Sequence, residues 1–257
     1  MKVEKAPFSC AREQFTVRGF EYKCRENNGI PVIMSHAFMS NQKIMKKYAE
    51  VLAEEGYVVF TYDFCGGAVF GKSDGRFSDM SIDTEKDDLK AVIAHVEKLS
   101  YVDMKSLILL GASQGGFVSC LVSSEYQERI SKLILLYPAL CIPDNAREGK
   151  MLMISFDPEH IEETMTSRPF KFSPKYPASA IHIDIYAELK KIKIPMLIIH
   201  GDADKIVDVA YARRAIEKAV NPASDLVVLE GAGHGFNKEQ VEKAMTHIIE
   251  YLKNSNE

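Results

Sequence analysis

With 257 residues, 46% of them hydrophobic and 26% charged, the chain is long and apolar enough for one α/β domain with a sizeable core or two small ones, and too apolar for disorder. Lys and Arg total 32 against 36 Asp and Glu, a net charge of −4 that gives neither nucleic acid nor an anionic membrane as an expected partner. The five cysteines are scattered, odd in number and never in C-x-x-C; with no signal-like N-terminus and no apolar run of membrane-spanning length, the expectation is a cytoplasmic protein with reduced thiols.

Residues 8–24 alternate weakly around Arg18-Gly19 and predict short antiparallel strands. After the turn at Asn27-Asn28-Gly29, residues 30–35 read as a core strand with Pro31 near its start, where a missing N–H is tolerated. The spacing predicts a helix from Lys43 to Glu55 with Ile44, Tyr48, Val51 and Leu52 on one face, stopped by Gly56. Residues 57–62 predict a buried strand, and 81–99 an amphipathic helix with Leu89, Val92, Ile93, Val96 and Leu99 inward. Further strands are predicted at 107–110, 132–138, 195–200 and 225–229, and helices at 114–123, 208–220 and 237–253. The last helix opens on Asn237 and Gln240, which resemble a capping box.

Strands alternating with helices predict a mostly parallel sheet covered on both faces. Residues 1–139 and 191–257 form the core of a single domain in this reading. Residues 140–190, rich in Met, Pro and aromatics and without core-strand character, read as an inserted lid, with an ordinary surface excursion as the alternative. Met151, Met153 and Met165 suit an adaptable apolar pocket and equally suit plain packing.

Chemistry concentrates at Gly111-Ala-Ser113-Gln-Gly115, a G-x-S-x-G between a strand and a helix. A turn this tight leaves no room for a Cβ at Gly111 or Gly115. It exposes the Ser113 hydroxyl beside the Gln114 N–H at a helix N-terminus, where developing negative charge is stabilised. A serine hydroxyl needs a base to become nucleophilic. In parallel sheets reactive groups gather beyond the carboxyl ends of the strands. Asp202, Asp204 and Asp208 follow the penultimate strand, and His234 lies in a glycine-rich loop after the last. The order Ser, Asp, His is that of the α/β-hydrolase triad.

Over nearly its whole length the chain resembles the α/β-hydrolase superfamily. Within it the likeness is to the bacterial cinnamoyl (feruloyl) esterases, carried by Tyr62-Asp-Phe-Cys-Gly-Gly, by Gly71-Lys-Ser-Asp-Gly-Arg-Phe-Ser-Asp-Met-Ser81 and by Asp157-Pro-Glu-His-Ile161. The acid loop resembles the family's H-G-x-x-D-x-x-V, which implies Asp204 as the triad acid and leaves Asp202 to shape the loop. The family's H-G-F oxyanion loop corresponds to His36-Ala37-Phe38, which implies a hole built from the Phe38 and Gln114 N–H groups and a structural His36. Ala37 departs from the family's glycine; if that residue needs positive φ, alanine costs about 1 kcal/mol or more.

The resemblance implies lid residues that bind the ring hydroxyls of a hydroxycinnamoyl group, and the match falls on Asp144 and Tyr176. A carboxylate accepting from a phenol beside a second phenol is sensible chemistry. A helix cap and core packing are the plain alternatives. The implied activity is serine carboxylic-ester hydrolysis of a small-molecule ester through an acyl-enzyme, with no metal or organic cofactor. A monoacylglycerol lipase, a thioesterase or an acyl-peptidase would carry the same triad. The sequence bears no mark of oligomeric state, a homodimer included.

Two motifs point elsewhere. Gly66 to Ser73 is a literal G-x-x-x-x-G-K-S after a strand, but a nucleotide-binding P-loop needs a helix starting at the lysine, and residues 73–79 are turn chemistry. Gly231-Ala-Gly-His-Gly-Phe236 begins like a dinucleotide fingerprint, yet too little chain follows for a βαβ unit. A non-catalytic binding protein of the hydrolase fold is a third class, disfavoured by the intact Ser, Asp and His.

Overall fold

Strand β1 (Val3–Arg12) turns through Glu13, at φ 51°, into β2 (Phe15–Cys24), and the two pair antiparallel along their whole length. They are longer than the short strands expected. The hairpin reaches back to Val3 because β2 is also fastened to the central sheet on its other side. Next come β3 (Pro31–Ser35), β4 (Val58–Tyr62), β5 (Ile108–Ala112) and β6 (Lys132–Leu136), then a short hairpin of β7 (Lys150–Met151) and β8 (Ile154–Ser155). Strands β9 (Met196–Gly201) and β10 (Asp225–Leu229) complete the set. The computed structural model describes residues 2–68, 70–152, 154–165 and 172–254; Val69, Met153 and the Arg168-Pro-Phe-Lys171 part of the insert lie outside the described residues.

The main sheet has the order β1-β2-β4-β3-β5-β6-β9-β10 and is parallel from β4 onward. Strands β3, β4, β5 and β9 are buried at every position, as both-face coverage requires. The helices are α1 (Lys46–Glu54), α2 (Ile82–Val96), α3 (Gln114–Tyr126), α4 (Ile142–Arg147), α5 (Ile161–Thr164), α6 (Lys175–Ala180), α7 (Ile185–Leu189), α8 (Val209–Lys218) and α9 (Lys238–Asn254). The two-residue period of a strand splits the core in two. Val32 and Met34 of β3 lie in the core cluster that includes α1 and α9, while Ile33 between them lies in the cluster on the opposite face, with α2, α3 and α8.

Helix α1 differs from expectation at its start. Asn41 caps a 3-10 turn at Gln42–Met45 before the α-helix begins, and the tighter winding turns Ile44 out to 41% exposure. Tyr48, Ala49, Leu52 and Ala53 form the buried face. Ser81 and Thr84 close a reciprocal capping box on α2, and Asn237 and Gln240 exchange the same pair of bonds ahead of α9. Among its described residues the segment between β6 and β9 contributes no strand to the main sheet; it carries the β7–β8 hairpin and α4 to α7. No helix among the described residues is long and apolar enough to cross a membrane.

Candidate active site

Ser113 sits between β5 and α3 at φ 51°, ψ −116°, a conformation that L-residues adopt only when the surroundings impose it. The surroundings are backbone. A Cβ on Gly111 would overlap the Gly115 carbonyl, and one on Gly115 would overlap the carbonyl oxygens of Ser35 and His36. The chain therefore doubles back within van der Waals contact of itself and of β3.

The Ser113 hydroxyl donates to His234 Nε2 at 2.8 Å. On the far side of the ring Nδ1–H donates to Asp204 Oδ2 at 2.7 Å; a carboxylate only accepts, so this bond fixes the tautomer that leaves Nε2 free to take a proton. Asp204 Oδ1 accepts from the Ile206 and Val207 N–H groups, and His200 Nε2 lies 3.3 Å from Oδ2. Burial raises the Asp204 pKa, but the bonds from His200, His234 and the two amides outweigh it and hold the carboxyl well below the usual carboxylate range. Of the three acids in this region, Asp202 accepts from the Gly231 N–H and Asp208 caps α8 through the Ala210 N–H, so Asp204 is the one at the imidazole.

Ser113 and His234 open onto a cavity of about 590 Å³. Phe38, Gln114 and Tyr176 line it, together with Ile142 and Met151 of the insert. Ala37 also lines it and is absent from the residues of positive φ; Met39, two positions on, takes φ 52°. The strain anticipated for alanine in place of glycine is therefore not incurred at position 37. Phe38 is anchored through its ring, 5.1 Å from Phe172 and 5.6 Å from Tyr176 of the insert and 5.7 Å from Phe77. Its backbone is thus tied to the insert itself. His36 is fully buried, accepts from the Phe64 N–H at Nε2 and donates Nδ1–H to the Ala37 carbonyl; burial lowers its pKa, and it has no free nitrogen for catalysis.

The two residues matched to ring-hydroxyl binding part company. Tyr176 lines the cavity, is 1% exposed, and its hydroxyl has no hydrogen-bond partner among the described residues. Asp144 is placed differently from the expectation: it does not line the cavity, and its two oxygens accept from Arg147 at 2.9 Å and from the Tyr211 hydroxyl at 3.0 Å. Helix α4 and its N-cap Cys141 present Cys141, Ile142 and Asn145 to the cavity, and Asp144 points instead to Tyr211 of α8.

Sequence reasoning passed over Glu85, which is fully buried and bonded to the Gln114 side chain. A signal existed: Glu85 stands four residues before Leu89, on the apolar stripe of α2. The described residues of the G-x-x-x-x-G-K-S stretch form a loop folded on β4, with the Lys72 N–H donating to Asp63 Oδ2 and the Ser73 hydroxyl to the Asp63 carbonyl, and among the described residues the next helix after β4 begins only at Ile82. Among the described residues no cluster of His, Cys, Asp and Glu has the form of a metal site.

An eight-stranded, mostly parallel sheet with helices on both faces and a strained serine between a strand and a helix defines an α/β hydrolase. The chain belongs to the prolyl oligopeptidase family, whose family model matches residues 43–256. Among solved structures, Est1E from Butyrivibrio proteoclasticus with ferulic acid bound is similar at a TM-score of 0.86 and 26% identity, over 96% of this chain and 99% of that one. The AB hydrolase superfamily protein YisY of Bacillus subtilis is 26% identical over 87% of this chain and 92% of its own. Human monoglyceride lipase is 24% identical over 85% of this chain and 80% of its own.

Proposed function

We propose that the protein is a serine carboxylic-ester hydrolase that acts through an acyl-enzyme on hydroxycinnamoyl or similar small aromatic esters. The observation that carries this is the continuous line from the Ser113 hydroxyl through His234 to Asp204, opening onto the cavity. His234 Nε2 takes the hydroxyl proton as Oγ bonds to the ester carbonyl carbon. The Phe38 and Gln114 N–H groups receive the oxyanion, and Asp204 stabilises the imidazolium. His234 then returns its proton to the departing alcohol as the C–O bond breaks. Water, deprotonated by the same nitrogen, releases the acid and restores Ser113.

Substrate class rests on the cavity. A volume of about 590 Å³ suits a small ligand, and the Tyr176 hydroxyl is a buried polar group in its wall with no hydrogen-bond partner among the described residues. The similarity to a ferulic-acid-bound structure supports the same reading. Leu152 and Ile206 line the cavity at 47% and 57% exposure, an apolar mouth that favours a monoacylglycerol ester as the second reading. The five cysteines are free thiols, which suits a cytoplasmic location.

The test is a fluorophosphonate label followed by a panel of methyl ferulate, p-nitrophenyl butyrate, a monoacylglycerol and an aminoacyl-anilide. Labelling at Ser113 and the highest kcat/KM on methyl ferulate are expected, with Ser113→Ala losing both label and turnover. Ester turnover that survives Ser113→Ala would overturn the proposal.

A further inference from the structure

Oxyanion donors that belong to the backbone must be held by something else. For Phe38 it is the aromatic cluster. For Gln114 it is a carboxyl. Glu85 lies in the first turn of α2 with no exposure at all, and its Oε1 accepts from the Gln114 side-chain amide. Its Oε2 is buried without a hydrogen-bond partner among the described residues. The loop after β4 makes room for the group: a Cβ on Gly67 would stand 2.8 Å from Glu85 Oε1 and 3.0 Å from the Phe64 Cβ.

Such a group is a poor choice for stability alone. A buried carboxyl with one oxygen unpartnered costs free energy that a leucine of similar size would not. Burial pushes Glu85 well above the usual carboxylate range, Asp88 adds to that, and the Gln114 bond only opposes it. The amide it holds, in contrast, belongs to the residue whose N–H starts α3. That N–H lies in the peptide plane between Ser113 and Gln114, and Ser113 is already in a strained conformation. A side-chain anchor on Gln114 restrains its φ and so the direction of the N–H.

We propose that Glu85 is a positioning residue of the oxyanion hole, holding the Gln114 side chain so that the Gln114 N–H points at the developing oxyanion. This rests on the hydrolase reading. Loss of a whole oxyanion donor costs roughly 100- to 1,000-fold in kcat, so loosening one is expected to cost about 10- to 100-fold.

The experiment compares Glu85→Gln, which keeps volume and an accepting oxygen, with Glu85→Met, Gln114→Met and the double Met variant. Kinetics on p-nitrophenyl butyrate, inhibition by a trifluoromethyl ketone that forms an oxyanion on the serine, and thermal midpoints are read together. Glu85→Met should lower kcat with KM within about twofold and weaken the ketone in parallel, whereas Glu85→Gln should restore most of both. Should Glu85→Met fail to fold, Gln114→Met, which keeps the backbone N–H, is expected to show the same split. The double variant buries no orphaned partner, so its midpoint should recover while its kcat stays low. Recovery of full kcat in the double variant would overturn the positioning role and leave the hydrolase reading standing. A wild-type protein without ester turnover and without fluorophosphonate label at Ser113 would overturn both.

Discussion

Asp202 Oδ1 accepts the Gly231 N–H at 2.6 Å, joining the loop that carries the acid to the loop that carries the imidazole. The loops leave adjacent parallel strands, with Gly201 of β9 opposite Leu229 of β10, and the Ala203 N–H adds a bond to the Ala232 carbonyl at 3.0 Å. Asp202→Ala removes one exposed bond and leaves the others. We expect a loss of about 1 kcal/mol in stability and less than tenfold in kcat, checked by thermal midpoint and p-nitrophenyl butyrate turnover. A fall of a thousandfold would make Asp202 the triad acid.

Asp204→Asn is expected to lower kcat by about 10,000-fold, because an amide in place of the carboxylate lets the imidazole adopt the tautomer with hydrogen on Nε2. The same variant has a stability signature. The folded-state pKa of Asp204 lies below its unfolded value, so protons bind the unfolded chain more readily. The stability it contributes is present above the ordinary aspartate value of about 4 and is lost as the pH falls through the folded-state pKa. The difference in urea midpoint between wild type and Asp204→Asn should be constant near neutrality and shrink below about pH 4.

Gly115→Ala should destabilise the fold by about 3 kcal/mol or more, since the new methyl meets backbone carbonyls of Ser35 and His36, which cannot turn aside as a side chain would. Gly233→Ala is the control, because a Cβ there meets nothing within 4 Å. Denaturant midpoints of the two variants, with Ser113 labelling as the second measurement, separate a steric requirement from a general dislike of alanine in glycine-rich loops.

Tyr176→Phe removes a buried hydroxyl that has no partner among the described residues, so the unliganded protein should gain up to about 1 kcal/mol. Turnover should move the other way for ring-hydroxylated substrates only: kcat/KM for methyl ferulate falls about fivefold or more while methyl cinnamate, which lacks the hydroxyl, is unchanged. Asp144→Ala supplies the contrast. Its carboxylate braces Arg147 and Tyr211, so its effect on the two esters should be equal, and a selective loss on methyl ferulate would return Asp144 to the binding site.

Much of the fold was legible because it follows from short-range rules. Short apolar runs rich in β-branched and aromatic or aliphatic residues, as in residues 58–62 and 108–112, read as strands covered on both sides, and both lie buried at every position. The elbow was legible because its pattern lies in five consecutive residues, although the carbonyls that exclude a Cβ at Gly115 belong to Ser35 and His36. The 3-10 turn ahead of α1 was not, because Ile44 matches an α-helical stripe as well as any residue, and only the Asn41 cap and its surroundings choose the tighter winding.

By itself the sequence determined the order and type of the core elements outside the insert, the glycine-flanked serine turn and the loop that carries His234, all read from local pattern along the chain. The acid loop's likeness to its family pattern already pointed to Asp204; tertiary structure supplies the physical reason, since Asp202, Asp204 and Asp208 are within six residues of one another and are separated by what each finds across the fold: Gly231, His234 and the start of α8. Tertiary structure alone turned Asp144 toward Tyr211 and brought Glu85 under Gln114. Periodicity places a side chain on a face of its own element, but its partner on another element is set by how the two pack, and no local spacing contains that distance.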